Sequence, residues 1–232
     1  MSPKVAFFLP TRKGSERVLQ KNTRPFAGFA GGLVENKLLQ LAQTTMVDEI
    51  ILSTNDEETI RIARPIVERE PRIRIVPRPD HLCQSSTNLK DLINYVPSLT
   101  DADHIVWGHV TTPLADGAVY DAAIRHYLEK MQEGFDSLVS VQELKNFLLD
   151  SAGRQVNNNT ALPWPRTQDL EPLFEVNHAL FIASRNLYII RGDRLGDRPA
   201  LFLMDKVHSL DIDWEEDFTI AELMYKNVYG QN

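Results

Sequence analysis

The chain has 232 residues, 32 acidic against 25 basic side chains, a formal net charge of −7 and a single cysteine. That length buries an ordinary core without staples, and the lone Cys83 forms no intramolecular disulfide, which points to a reducing compartment, the cytoplasm. An acidic balance argues against a nucleic-acid backbone as the main partner, yet leaves room for a small phosphorylated ligand held at one basic site.

Short apolar runs alternate with helical patterns along the chain, which predicts an α/β fold with a mostly parallel sheet and helices packed on it. "KVAFFL" (Lys4 to Leu9) reads as a first strand buried on both faces, and its apolar run is too short to span a membrane or serve as a signal core. "EIILST" (Glu49 to Thr54), "RIRIV" (Arg72 to Val76) and "HIVWGHV" (His104 to Val110) read as the next three strands. Between them apolar residues recur at helical spacing: Val34, Leu38, Leu41 and Ala42; then Ile60, Ala63 and Val67; then Leu89, Leu92, Ile93 and Val96. Tyr120, Ile124, Tyr127, Leu128 and Met131 predict a longer helix from about Asp116 to Gln132, which Gly134 stops. "DSLVSV" (Asp136 to Val141) reads as a strand. Residues 142–172 change character, with "VNNNT" and "LPWPRTQ" rich in asparagine and proline, and are expected to leave the core as a small excursion. "HALFIAS" (His178 to Ser184) and "HSLDID" (His208 to Asp213) are expected as further strands, before a closing helix from about Glu215 to Val228.

Two stretches stand out chemically. "LPTRKGSERVLQKN" (Leu9 to Asn22) follows the first strand, where an open α/β sheet places its ligand. Gly14 and Ser15 permit close backbone approach, while Arg12 and Lys21 suit phosphate oxygens, one as a fork and one as a point charge. The stretch is neither a Walker loop nor G-x-G-x-x-G, and a solvated surface loop is the plain alternative. In "SLDIDWEED" (Ser209 to Asp217), period-two alternation on a strand puts Asp211 and Asp213 on one face, where a hard divalent ion such as Mg²⁺ relieves their repulsion. An acidic strand end feeding a helix N-terminus is the alternative, and Asp217 is placed to support that terminus. Arg78 in "RPDHL", His109, Thr111 and Thr112 in "HVTTPLAD", and Asn177 in "FEVNHALF" stand at strand ends where a pocket forms. Each also has an ordinary structural reading.

Taken together these stretches resemble the acylneuraminate cytidylyltransferases, the CMP-sialic acid synthetase family. "LPTRKGSERVLQKN", "STNDEE", "RPDHL", "TTPL", "VNHALFI" and "SLDIDWEEDFTIAE" are similar to that family's motifs in the expected order. The resemblance implies a three-layer Rossmann-like nucleotidyltransferase, in one domain over 1–232, that transfers CMP from CTP to the anomeric hydroxyl of a 2-keto-3-deoxy sugar acid and releases pyrophosphate. It implies Leu9, Arg12, Gly14, Ser15, Lys21, Asn22, Arg78 and Thr87 as nucleotide ligands, with Arg12, Lys21 and Asp211 catalytic. Asp211 and Asp213 would bind Mg²⁺, and residues 142–172 would join a homodimer. His109, Thr111, Thr112, Lys145, Arg166 and Asn177 are expected near the acceptor. The chain departs from the pattern at His109, where the family has glutamine, and around Glu175, where it often has arginine. Lys145 or Arg166 is expected to take over that arginine's task. A phosphorylated acceptor, or a nucleotide-binding protein without catalysis, are the other readings.

Overall fold

In the computed structural model, residues 3–14 and 17–230 are described. Ser15, expected beside the nucleotide, lies outside them. A single sheet of seven strands runs in the order β3-β2-β1-β4-β6-β5-β7. β1 (Val5–Pro10) lies between β2 (Glu49–Thr54) and β4 (His104–Gly108) and is parallel to both, with β3 (Ile73–Pro77) parallel at one edge. β5 (Ser137–Leu144) and β6 (Leu173–Ser184) form an antiparallel pair beyond β4, and β7 (Pro199–Leu203) closes the other edge parallel to β5.

Alternation along β1 explains the layers. Val5, Phe7 and Leu9 face one core and Ala6 and Phe8 the other, so the strand reads as a continuous apolar run because it is covered on both faces. The first core takes in α1 (Gly32–Ala42), α2 (Glu57–Val67), α4 (Gly117–Gln132) and α6 (Glu215–Tyr229). The second takes in α3 (Leu89–Tyr95) and α5 (Arg185–Arg191). Each fully buried Leu or Phe contributes roughly 2 kcal/mol of transfer free energy, which makes this pair of apolar layers the main support of the site.

Several expectations are corrected. The stretch from His208 to Asp213 is a turn followed by an irregular segment, not a strand, because Ser209, Leu210 and Ile212 donate their N–H groups to loop carbonyls and Asp213 to a side chain of α6. β5 and β6 run further than expected, pairing Gln142 with Glu175 and Leu144 with Leu173, so the excursion shortens to 145–172. A register shift between Val139 and Val141 interrupts the alternation of this pair, which hid the outer part from a period-two reading. β7 and α5 were not expected: five and seven residues are too short to show a period, although Ser184 caps α5 and Gly192, at φ +62°, ends it.

Candidate active site

The strand order reverses between β1 and β4, and that is where a cleft of about 490 Å³ opens at their carboxyl ends. It is lined by Arg12 and Gly14 after β1, Arg78 after β3, and Trp107, His109 and Thr111 at and after the end of β4. Thr11 continues the β1 pairing by donating to the Ser53 carbonyl, and the Lys13 N–H is held by Asn55 Oδ1 at 3.1 Å. The basic loop is therefore anchored on the neighbouring strand end. Gly14 adopts φ +83°, a left-handed turn that an L side chain rarely takes.

Arg78 is buried and its guanidinium donates to the Thr11 carbonyl, bridging the ends of β3 and β1. Burial, with Arg12 adding like charge, lowers its pKa, and its Nε has no acceptor among the described residues. A buried, unspent donor beside a second cation calls for an anion.

On the other side of the cleft mouth the Lys21 ammonium donates to the Ile212 carbonyl at 2.6 Å. Ile212 is itself held by its N–H on the Thr111 carbonyl and is fully buried, while Asp211 and Asp213 on either side are half-buried. The segment is not in the sheet, yet Asp211 and Asp213 both line one groove. Burial lowers the Lys21 pKa, against the pull of Asp211 and Asp213. Burial raises that of Asp211, and the negative charge of Asp213 adds to it. Asp211 Oδ1 is buried with no partner among the described residues. Asp213 pairs with Arg17 at 2.7 Å, and Asp217 accepts from the N–H groups of Asp213 and Trp214, supporting the start of α6. Described residues hold no group of three or more His, Cys, Asp or Glu arranged to enclose a metal. Two neighbouring carboxylates are a donor set that would suit Mg²⁺.

His109 sits half-buried in the cleft wall. Its Nδ1 meets the His178 carbonyl at 2.8 Å and its Nε2 the Trp107 indole N–H at 3.1 Å. A carbonyl only accepts, so the proton is on Nδ1 and Nε2 takes the indole hydrogen; both nitrogens are spent in the neutral ring. Burial pushes its pKa down to about 4. The ring is a neutral strut, not a base.

The remaining expected residues divide sharply. Asn22 and Thr111 line the cleft. Leu9 is fully buried in the core, and Thr112 is fully buried with its hydroxyl on the His109 carbonyl. Thr87 spends its hydroxyl on the His81 carbonyl within its own loop, while Ser85 from that loop reaches the cleft. Asn177 lies inside β6 and not before it; its Oδ1 accepts from the Ser140 hydroxyl and the Ala179 N–H, holding the kink in which His178 takes φ +56°. Lys145 pairs with Glu143 at 3.3 Å, and Arg166 forks onto Asp169; neither lines the cleft. Glu175 lines an adjoining groove with His178, Asp211 and Asp213.

Trp107 escaped the sequence reading although period two places it with His109. Lys37 escaped entirely, since a lysine in a helix is ordinarily solvated. It is fully buried, and its ammonium bonds to the Thr112 and Ala115 carbonyls and the Tyr120 hydroxyl. Asn36 and Gln40 both donate to the Pro113 carbonyl, so one face of α1 clamps the loop that carries Thr111.

A parallel sheet with a basic loop at its switch point and a carboxylate pair facing that loop defines a nucleotidyltransferase-like site. The cytidylyltransferase family's sequence profile matches residues 6–229, and the chain belongs to that family. It is a CTP-dependent nucleotidyltransferase. The chain is 21% identical to the pseudaminic acid cytidylyltransferase of Campylobacter jejuni over 221 residues, covering 94% of each. It is 25% identical to the CMP-N,N'-diacetyllegionaminic acid synthase of Legionella pneumophila, covering 92% and 93%. Against the N-acylneuraminate cytidylyltransferase of Streptococcus agalactiae it is 25% identical, over 90% of this chain and 50% of that one. The fold matches a CMP:2-keto-3-deoxy-manno-octonic acid synthetase with a TM-score of 0.64 at 12% identity, covering 97% and 100%. A 4-diphosphocytidyl-2C-methyl-D-erythritol synthase from Anaerococcus prevotii matches with a TM-score of 0.67 at 12% identity, covering 97% and 96%.

Proposed function

We propose that the enzyme transfers CMP from CTP to the anomeric hydroxyl of a sialic-acid-like 2-keto-3-deoxy sugar acid and releases pyrophosphate. The observation that carries this reading is the Lys21 contact to Ile212, which sets the phosphate-binding loop against Asp211 and Asp213. The names of the relatives support the acceptor class.

In this reading Arg12 and Arg78 receive the nucleotide and Lys21 the triphosphate. The acceptor oxygen bonds to the α-phosphorus as the bond to the bridging oxygen breaks, pyrophosphate leaves, and the hydroxyl proton passes to solvent. Protein donors stabilise charge that grows on the α-phosphoryl and leaving-group oxygens, so catalysis is mainly positioning and electrostatics. Asp211 and Asp213 would hold Mg²⁺, which neutralises phosphate charge. Neutral His109 fixes the wall against which the acceptor sits and takes no proton.

The homodimer is part of this proposal. Phe174 and Val176 on β6 and Leu201 and Leu203 on the edge strand β7 are exposed apolar residues, as are Leu162 and Trp164 in the excursion. A partner covering them would also bring a second copy's Lys145 and Arg166 into play. No described helix is long and apolar enough to cross a membrane; we place the reaction in the cytoplasm, where CTP is found.

Pyrophosphate release from CTP and Mg²⁺ across a panel of 2-keto-3-deoxy sugar acids tests the reading. Turnover with at least one of them is expected. Intact CTP binding with silence across the panel, or turnover only with phosphorylated acceptors, would overturn it.

A further inference from the structure

With the nucleotide in the cleft, the acceptor needs a neighbouring space that shares the carboxylate pair. A groove of about 580 Å³ has that position, with Glu175, His178, Lys206, Asp211 and Asp213 among its lining residues. It meets the cleft where the His178 carbonyl accepts from His109 Nδ1 and the Thr111 carbonyl accepts from the Ile212 N–H. Lys206 is exposed and makes no ion pair with a described residue, so the groove keeps one cation among its carboxylates and can admit an acidic sugar.

His178 is the residue in this groove whose presence the fold does not explain. Three described non-glycine residues have a positive φ, and His178, at +56°, is the one inside a strand. A side chain is disfavoured in this left-handed conformation, which glycine takes freely. The kink does not depend on the imidazole. Asn177 Oδ1 accepts from the buried Ser140 hydroxyl and the Ala179 N–H, Ser140 Oγ accepts from the Leu180 N–H, and His109 holds the His178 carbonyl. The ring itself is exposed and lies beside Phe181 and His109, with centroids 6.2 and 6.3 Å away. Neither of its nitrogens makes a hydrogen bond with a described residue. A strained backbone that delivers an uncommitted polar ring into a groove points to a ligand contact. The imidazole brings an N–H donor, whereas the ionised carboxylates around it only accept. Donor and acceptors side by side suit the hydroxyl and acylamino groups of a sugar.

We propose that this groove takes the acceptor and that the His178 ring hydrogen-bonds a hydroxyl or acylamino group of the sugar there, which makes His178 a specificity-determining residue. This rests on the proposed transfer to a sugar acid. His178 does not line the nucleotide cleft, so its loss affects the acceptor and spares CTP.

The test is steady-state kinetics with a sugar acid that the unaltered enzyme uses, together with thermal melts. His178→Gly removes the ring and relieves the backbone; His178→Gln keeps an N–H donor at the reach of the ring. For His178→Gly the expected result is an acceptor KM raised roughly tenfold, with the CTP KM unchanged within about twofold. Its Tm should hold or rise by up to about 4 °C, an outcome that a ring placed for packing would not produce. His178→Gln should recover part of the acceptor KM. An unchanged acceptor KM in His178→Gly, a glutamine variant no better than the glycine one, or a lowered Tm with both KM values raised would overturn the assignment and leave the reaction in place. Silence of the unaltered enzyme with every sugar acid would overturn both.

Discussion

The Lys21 ammonium is bonded to the Ile212 carbonyl at 2.6 Å, across 191 positions of sequence. That one contact ties the basic loop to the acidic segment, and in the proposed reaction Lys21 is both a phosphate ligand and a strut of that segment. Lys21→Ala should lower kcat/KM by about 10²-fold or more, and Lys21→Arg should not restore it, since a planar fork does not fit a single-point contact. Initial rates with CTP varied, alongside thermal melts that verify folding, check this.

Asp211→Asn should lower kcat by on the order of 10²-fold and weaken the Mg²⁺ dependence of the rate, because the buried Oδ1 has no other described partner. A titration of initial rate against Mg²⁺ reads the change. An unaltered Mg²⁺ midpoint would remove Asp211 from the metal.

Arg78→Met should weaken CTP binding about tenfold or more, since its buried Nε is free for an anion. Calorimetric titration with CTP measures it. Stability should also fall by about 1–3 kcal/mol, through the lost bond to the Thr11 carbonyl.

His109 gives a pH signature. Its folded pKa of about 4 lies below the ordinary value near 6.5, so the folded state refuses a proton that the unfolded chain takes up. Stability is then complete above pH 6.5 and falls as the pH drops from 6.5 towards 4, by up to about 3 kcal/mol. Buried His104, also shifted down by desolvation, acts in the same direction. Thermal melts of His109→Gln should show a shallower decline over that window than those of the unaltered protein.

Lys37→Ala should cost about 3 kcal/mol or more, because it strands the buried Thr112 and Ala115 carbonyls. For a chain of this size that lowers the melting temperature by roughly 6–12 °C. The acceptor KM should rise with it as the loop bearing Thr111 loosens.

The core strands, their crossover helices and the class of site were legible in the sequence, because each rests on a local regularity. A strand buried on both faces must be apolar throughout, as "VAFFL" is, and α4 shows its period over sixteen residues. The strand expected at Asp211 and Asp213 does not form, yet both carboxylates line one groove. What only the tertiary structure decided was how each polar side chain is spent. Leu9, Thr87, Thr112 and Asn177 were expected as ligands and are committed to the core, to backbone groups or to a neighbouring hydroxyl; Lys37, which carried no expectation, is a buried clamp. Hydrogen-bond satisfaction and burial depend on neighbours distant in sequence, so no local pattern encodes them.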